Sequence, residues 1–205
     1  MKHKHFFKNI VFFIGPPASG KDTQAEILAK ELNGKLLTTS SLLRDFFSQN
    51  KKKFLYFNNK KIDLRREERK MLNGKLVNSN LVLYVLLNSI LNLTKKYNLL
   101  LFAGSPRTLK EAKQELTFFN THNINFLTIF LDIDEKEIIK RALKRARIDD
   151  KKAIVLKRIN FYKRNTLPAI KFLAKHKVLL SINGKGSILQ VHKRILRALT
   201  NCLHI

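Results

Sequence analysis

The sequence predicts an α/β fold in three layers, a five-stranded parallel sheet with helices on both faces. Three observations lead there. Short apolar runs recur at residues 10–14, 35–38, 99–103, 126–133 and 178–182. Helical patterns separate them. Two of the runs, 10–14 and 99–103, are wholly apolar, as in strands buried on both faces, and strand–helix alternation makes such strands parallel.

The elements follow in order. Ile10 to Ile14 is the first strand. Basic residues precede it as in a leader peptide, but the run is short, Lys8 sits beside it, and a Gly/Pro loop follows at once instead of a small-residue cleavage site. Asp22 to Leu32 sets Ala25, Ile27, Leu28, Ala29 and Leu32 at helical spacing and stops at Gly34. Lys35 to Thr38 is a short strand. Ser40 to Ser48 is helical, with Ser40 or Ser41 as N-cap. Residues 50–61 are polar, basic and aromatic and read as a loop or loose helix. Asp63 to Leu72 is a helix closed by Asn73-Gly74, and Ser79 to Thr94 is another. Leu99 to Ala103 is a strand, Leu109 to Phe119 a helix, Phe126 to Ile133 a strand and Glu135 to Ala146 a helix. Ala153 to Lys175 reads as one long helix in which Pro168 marks a kink or restart. Val178 to Ile182 is the last strand and Ser187 to Leu199 the last helix. Segment 40–72 holds three helix-like pieces with no strand between them, which predicts an insertion standing off the sheet.

Composition narrows the function classes. A chain of 205 residues, 44% hydrophobic and without internal repeat, is expected to form one domain over 1–205 with its own core. The single cysteine, Cys202, excludes an intramolecular disulfide and a Cys-rich zinc site. No stretch approaches the roughly 18 apolar residues of a membrane span, so a soluble, cytoplasmic protein is expected. The net charge of +26 fits either nucleic-acid binding or a lysine-rich surface that serves small anionic substrates. The basic residues are spread along the chain with no dedicated arm and no aromatic stacking motif, which favours the second reading. The histidines, His3 and His5 included, show no metal spacing.

The run Gly15-Pro16-Pro17-Ala18-Ser19-Gly20-Lys21-Asp22-Thr23 lies between the first strand and the first helix. Glycines there let the backbone turn and aim N–H groups at phosphate oxygens. The helix N-terminus adds positive potential, and Lys21 reaches the phosphoryl group being moved. One position departs from the general pattern: the slot after the lysine holds Asp22, and the hydroxyl is on Thr23. Asp22 and Thr23 are the candidate metal contacts, with no direct ligand assigned. An aspartate beside phosphates repels them unless a cation sits between.

Further blocks follow in order. They are Thr38-Thr39-Ser40-Ser41-Leu42-Leu43-Arg44, Gly74-Lys75-Leu76-Val77, Ala103-Gly104-Ser105-Pro106-Arg107-Thr108, and Arg141-x3-Arg145-x-Arg147-Ile148-Asp149-Asp150 with Arg158, Tyr162, Thr166 and Pro168 behind it. With Gly20-Lys21-Asp22-Thr23-Gln24, they resemble the adenylate kinase family, a group of phosphate-loop nucleoside monophosphate kinases, over nearly the whole chain. The resemblance implies ATP as donor with Mg2+, a nucleoside monophosphate as acceptor, and a monomer. It implies ATP contacts from Gly15, Pro16, Ala18, Ser19, Gly20, Lys21, Asp22, Thr23, Arg141 and Arg145. It implies monophosphate contacts from Thr39, Arg44, Leu76, Val77, Gly104, Arg107, Glu111, Arg147 and Arg158. Lys21, Arg107, Arg145, Arg147 and Arg158 would carry the chemistry, because phosphoryl transfer needs positioning and positive charge more than covalent help. Asp149 and Asp150 would hold the arginines. Residues 146–151 would form a short lid, and the 40–72 insertion would close over the acceptor.

Three departures from that pattern matter. Ala103 stands where the family has an aspartate that helps hold hydrated magnesium, and Asp22 is placed to compensate. Ser41 and Ser40 replace an aspartate and a glycine in the acceptor segment. Glu111 replaces a glutamine that both donates to and accepts from the adenine edge, whereas an ionised glutamate only accepts. Thr39 matches the adenine type. AMP is therefore the first choice of acceptor, with GMP and the pyrimidine monophosphates behind it. A catalytically weakened nucleotide-binding protein stands as the alternative outside this reaction class.

Overall fold

The structure, a computed structural model, describes residues 9–145 and 152–203. Arg147, Asp149 and Asp150, the 146–151 lid, His3 and His5 lie outside them. In chain order the elements are β1 (Asn9–Ile14), α1 (Lys21–Glu31), β2 (Lys35–Thr38), α2 (Thr39–Gln49), β3 (Phe54–Phe57), β4 (Lys60–Asp63), α3 (Leu64–Leu72), α4 (Ser79–Leu93) and β5 (Leu99–Ala103). There follow α5 (Leu109–Thr121), β6 (Phe126–Asp132), α6 (Glu135–Arg145), α7 (Lys152–Phe161), a π-helical turn (Tyr162–Thr166), α8 (Leu167–Lys175), β7 (Leu179–Asn183) and α9 (Ile188–Leu203).

Five strands pair in the order β2-β5-β1-β6-β7, all parallel. The central strand shows why a solid apolar run was needed. Ile10 and Phe12 point to one face, into a cluster with Leu100, Phe102, Phe119 and the apolar side of α4. Val11 and Phe13 point to the other, into a cluster with Leu101, Leu131, Leu28 and Ile195. Val11, Phe12 and Phe13 are fully buried. The strand period of two thus feeds two separate cores from one strand.

The segment read as a loop or loose helix is instead a β-hairpin, β3 paired antiparallel with β4. Its turn residues Asn58 and Asn59 have φ of 49° and 55°, the left-handed pair that a tight hairpin of the right twist requires and that asparagine tolerates. The insertion is therefore two helices with a hairpin between them. Leu55, Phe57 and Ile62 anchor the hairpin on the α4 side of the core. Phe46, Phe47 and Phe57 pack there too, against Tyr84 and one another, while Tyr56 is exposed.

Two local assignments also change. The N-cap of α2 is Thr38, not Ser40 or Ser41: Thr38 Oγ1 accepts from the Ser41 N–H at 3.0 Å, and the Thr38 N–H donates to Ser41 Oγ at 3.2 Å. This reciprocal box satisfies two donors at once. The long helix does not bend at Pro168 itself. The break is the π turn before it, where the Leu167 N–H bonds to the Tyr162 carbonyl, and Pro168 sits in the first turn of α8, where its missing N–H costs nothing. Thr166 Oγ1, in that turn, donates to the Arg107 carbonyl at 2.9 Å.

One buried polar pair belongs to the frame. Glu115 of α5 is 3% exposed and accepts from the hydroxyl of Ser105, itself 1% exposed. Burial, opposed by the Ser105 bond, pushes the Glu115 carboxyl up to about 8.

Two stability measurements follow from these features. Thr38→Ala should cost about 1 kcal/mol in urea unfolding, and Ser40→Ala much less, because Thr38 carries the cap. From a pH near 4.5 to about 8 the unfolded chain has lost a proton that folded Glu115 keeps, so wild-type stability falls as pH rises through that window. Glu115→Gln should therefore be the more stable protein near neutral pH, by roughly 2 kcal/mol, with the gap closing on acidification; an equal gap at both pH values would refute the account.

Candidate active site

The site lies along the C-terminal edge of the sheet, where open parallel α/β sheets place their ligands. β1 delivers the chain into the phosphate loop. A Cβ on Gly15 would come within 2.9 Å of both the Leu131 carbonyl and Ser19 Oγ, so the loop closes against the neighbouring strand only with glycine there. Gly20 has φ 89° and is the N-cap of α1, which opens at Lys21. Ser19 Oγ is buried and has no hydrogen-bond partner among the described residues. A buried hydroxyl with no protein partner at a helix N-terminus fits a phosphate oxygen.

Three joined cavities surround this loop. The central one, about 610 Å³, is lined by Gly15, Ala18, Lys21, Asp22, Arg107, Arg145 and Arg158, with Pro17, Lys75 and Leu76 among the rest. A second, about 350 Å³, lies toward the insertion and is lined by Thr39, Ser40, Arg44, Leu76, Val77, Gly104, Arg107 and Glu111. A third, about 440 Å³, lies between α1 and the start of α9 and is lined by Ala18, Ser19, Gly20, Thr23, Gln24, Arg141 and Ile188. The central cavity shares Lys75, Leu76, Gly104 and Arg107 with the second, and Ala18, Lys21, Asp22 and Arg145 with the third. The three therefore form one trough with two ends. Of the described residues read from the sequence as nucleotide contacts, Pro16 alone lines none of them. It is buried, and its carbonyl accepts from the Ser19 N–H at 3.3 Å.

The middle of the trough is strongly positive. Burial lowers the Lys21 ammonium below its ordinary value; Asp22 opposes that shift, and Arg107, Arg145 and Arg158 add to it. Four cationic groups are thus within electrostatic reach of one another. Their repulsion is relieved when an anion with several charges lies among them.

Each end has its own anchoring. At the second cavity, a Cβ on Gly104, whose φ is 96°, would lie 3.3 Å from the Arg107 guanidinium and 3.6 Å from Thr39 Oγ1. Arg107 Nε donates to the Gly104 carbonyl at 2.9 Å, across the cis Ser105–Pro106 bond. Glu111, 5% exposed, accepts from the Arg107 backbone N–H at 2.7 Å. Burial raises its carboxyl above the usual range, opposed by that bond and by the Arg107 charge. At the third cavity, Arg141 bridges two loops. Its guanidinium pairs with Glu137 at 2.6 Å and donates to the Ser19 carbonyl at 3.4 Å and the Gly184 carbonyl at 2.9 Å.

Several lining residues had not been singled out as contacts. Lys75 lines both the central and second cavities, but an exposed lysine in a basic chain carries no signal. Gly184, Gly186 and Ser187 line the third cavity; a Gly-x-Gly-Ser loop between the last strand and last helix repeats the strand–glycine–helix grammar of the phosphate loop and could have been read. Gln24, quoted as part of a motif, turns out to line the third cavity from α1.

Comparisons with known proteins find one family. The family model described as adenylate kinase matches residues 13–178. An adenylate kinase of Prochlorococcus marinus is 32% identical over 196 residues, covering 94% of this chain and 100% of that protein. One from Thermus thermophilus is 30% identical over 195 residues, covering 92% and 96%. One from Pelagibacter ubique is 30% identical over 220 residues, covering 91% and 97%.

Proposed function

Because the chain belongs to the adenylate kinase family, we infer that it catalyses reversible transfer of the terminal phosphoryl group of ATP to AMP, giving two ADP, and that its three cavities divide that work. The observation that carries the reading is the trough itself: two nucleoside-sized ends meet at a cluster of Lys21, Arg107, Arg145 and Arg158. ATP takes the third cavity, with its phosphates along Gly15, Ala18, Ser19, Gly20 and Lys21 and its base beside Arg141. AMP takes the second, with its phosphate on Arg44 and Arg107 and its nucleoside against Thr39, Leu76 and Val77. Arg147 lies outside the described residues, and its sequence block implies a further cation for the same chemistry.

In the transfer, an oxygen of the AMP phosphate attacks the terminal phosphorus of ATP. The bond from that phosphorus to the bridging oxygen breaks, and its electrons stay on the departing ADP. The attacking phosphate is already ionised, so no general base is needed. The four cations meet the charge spread over the moving group, which is where preorganised charge lowers the barrier. Closure of the 146–151 lid and the 40–72 insertion would keep water from the terminal phosphate.

Magnesium fits the residues present. Among the described residues no group of three or more His, Cys, Asp or Glu could hold a metal alone, but Asp22 lines both the central and third cavities and Thr23 the third. One carboxylate together with substrate phosphates is the donor set magnesium prefers. The ion, when bound, neutralises phosphate charge. Ala103, buried at the end of β5, offers it nothing, and Asp22 supplies the carboxylate.

Glu111 is compatible with AMP once its burial is counted. A neutral carboxylic acid donates through O–H and accepts through C=O, as an amide does, so the raised carboxyl can serve ring N1 and the amino group of adenine together. The family's monomeric state and a cytoplasmic location are consistent with this assignment; no helix among the described residues is long and apolar enough to cross a membrane.

A coupled assay offering AMP, GMP, CMP, UMP and dTMP should show turnover with AMP far above the others, and absence of AMP turnover would overturn the assignment. The KM for AMP should rise with pH as Glu111 ionises and loses its donor, and Glu111→Gln should flatten that rise. Asp22→Asn should raise the magnesium concentration needed for half-maximal turnover; an unchanged requirement would remove Asp22 from the metal's surroundings.

A further inference from the structure

Behind the third cavity, α1 and α9 pack through one apolar cluster that includes Ala25, Leu28, Val191 and Ile195. A polar chain is set into it. Gln24 and Glu31 lie about two turns apart on α1, and His192 of α9, 5% exposed, contacts both. Gln24 Nε2 donates to the Ile188 carbonyl at 2.9 Å. Gln24 Oε1 lies 3.2 Å from His192 Nδ1, and His192 Nε2 lies 2.5 Å from Glu31 Oε2.

The direction of every bond in this chain is set by what its ends can do. The Ile188 carbonyl accepts and cannot donate, so Gln24 must turn its NH2 toward Ile188 and its oxygen toward the ring. An amide oxygen also only accepts, so Nδ1 carries a hydrogen. The Glu31 side chain is 45% exposed, so water supports its ionised, accepting form, and Nε2 carries a hydrogen as well. Imidazole has hydrogens on both nitrogens only as the cation. Flipping Gln24 would set its oxygen against the Ile188 carbonyl and leave two acceptors facing each other.

Among the described residues, Glu31 is the charged group that meets the ring. β7, which also packs on α9, carries no titratable residue. The other charged residues of α1 are Lys21, Asp22, Glu26 and Lys30, of which Lys21 and Asp22 line the cavities. The far end of the chain is the third cavity itself: Gln24, Ile188 and Val191 all line it, and Ile188 opens α9.

We propose that His192, held as an imidazolium between Gln24 and Glu31, is a positioning residue for the donor nucleotide, fixing the α9 wall of its cavity through Gln24 and Ile188. Loss of one ring proton breaks either the bond to Gln24 or the bond to Glu31 and frees that wall. The inference rests on the reading of the third cavity as the ATP site.

The test compares wild type with His192→Gln. KM for ATP is measured with magnesium in constant excess from about pH 5.5 to about pH 8. In wild type it should rise about fivefold toward the alkaline end, the loss of one hydrogen bond. The ratio of the His192→Gln KM to the wild-type KM should fall from about five at the acid end to about one at the alkaline end, while the AMP profile stays as in wild type. Protonation of ATP itself acts on both proteins and cancels. Ring 15N chemical shifts of wild-type His192 should show both nitrogens protonated near neutral pH, a reading that does not depend on the variant folding. A neutral-tautomer spectrum, or the same ATP profile in both proteins, would overturn the proposal. Ile188→Trp, which fills the cavity, separates the two levels. If it leaves KM for ATP unchanged, the ATP assignment of the cavity fails. If it raises KM while His192→Gln tracks wild type, the relay alone fails.

Discussion

The centre of this structure turns on one electrostatic constraint: Lys21 shares its cavity with Arg107, Arg145 and Arg158, and their like charges act against its own. The fold places Lys21 and Arg107 by separate means. Lys21 is fixed because β1, buried on both faces, ends at a glycine that only just clears the next strand. Arg107 is fixed by a turn that uses the Gly104 carbonyl, the Glu111 carboxylate and the Thr166 hydroxyl as three separate points of attachment. The apolar burial on both faces of β1 supplies the free energy that offsets this repulsion.

The same constraint explains which parts of the fold were legible in the sequence. β1 and β5 had to be buried on both sides, and a solid apolar run has few other readings, so residues 10–14 and 99–103 were found almost to the residue; Lys35–Thr38, half polar and at the edge of the sheet, follows from the strand–helix alternation around it. The hairpin was not, because Phe54-Leu55-Tyr56-Phe57 shows no alternation and the flanking lysines suggested solvent. Its turn signal, Asn58-Asn59, was present but is weaker than Asn-Gly. The Thr38 cap was missed because Ser40 and Ser41 offer the same hydroxyl chemistry one turn later, and only the backbone geometry tells them apart. The π turn had no sequence mark except Pro168, which lies just past it.

The site was legible where one residue type has one use. Glycines at tight turns and arginines in ordered blocks were read from the chain. Residues whose role depends on surroundings were not. Glu111 as written in the sequence is an ordinary acid; burial raises its carboxyl above the usual range. His192 looked like one more histidine without metal spacing, and its meaning comes from Gln24, 168 residues away along the chain. Glu115 likewise looked like an ordinary helix residue until its depth was known. Protonation state is a property of the fold, and a one-dimensional reading assigns it by default.

The π turn between α7 and α8 ties two walls of the central cavity together. Arg158 stands on α7 ahead of it, and Thr166, at its end, holds the carbonyl of Arg107. A single helical rod therefore sets the spacing between two guanidinium groups that line the same cavity. The extra residue in that turn rotates one part of the rod against the other by about 100° relative to an unbroken helix. The rod works as a gauge with a built-in offset. A lineage that lost one residue there would keep every arginine of the sequence pattern and still aim one of them elsewhere, so the length of this turn shapes the cavity as much as the residues it carries.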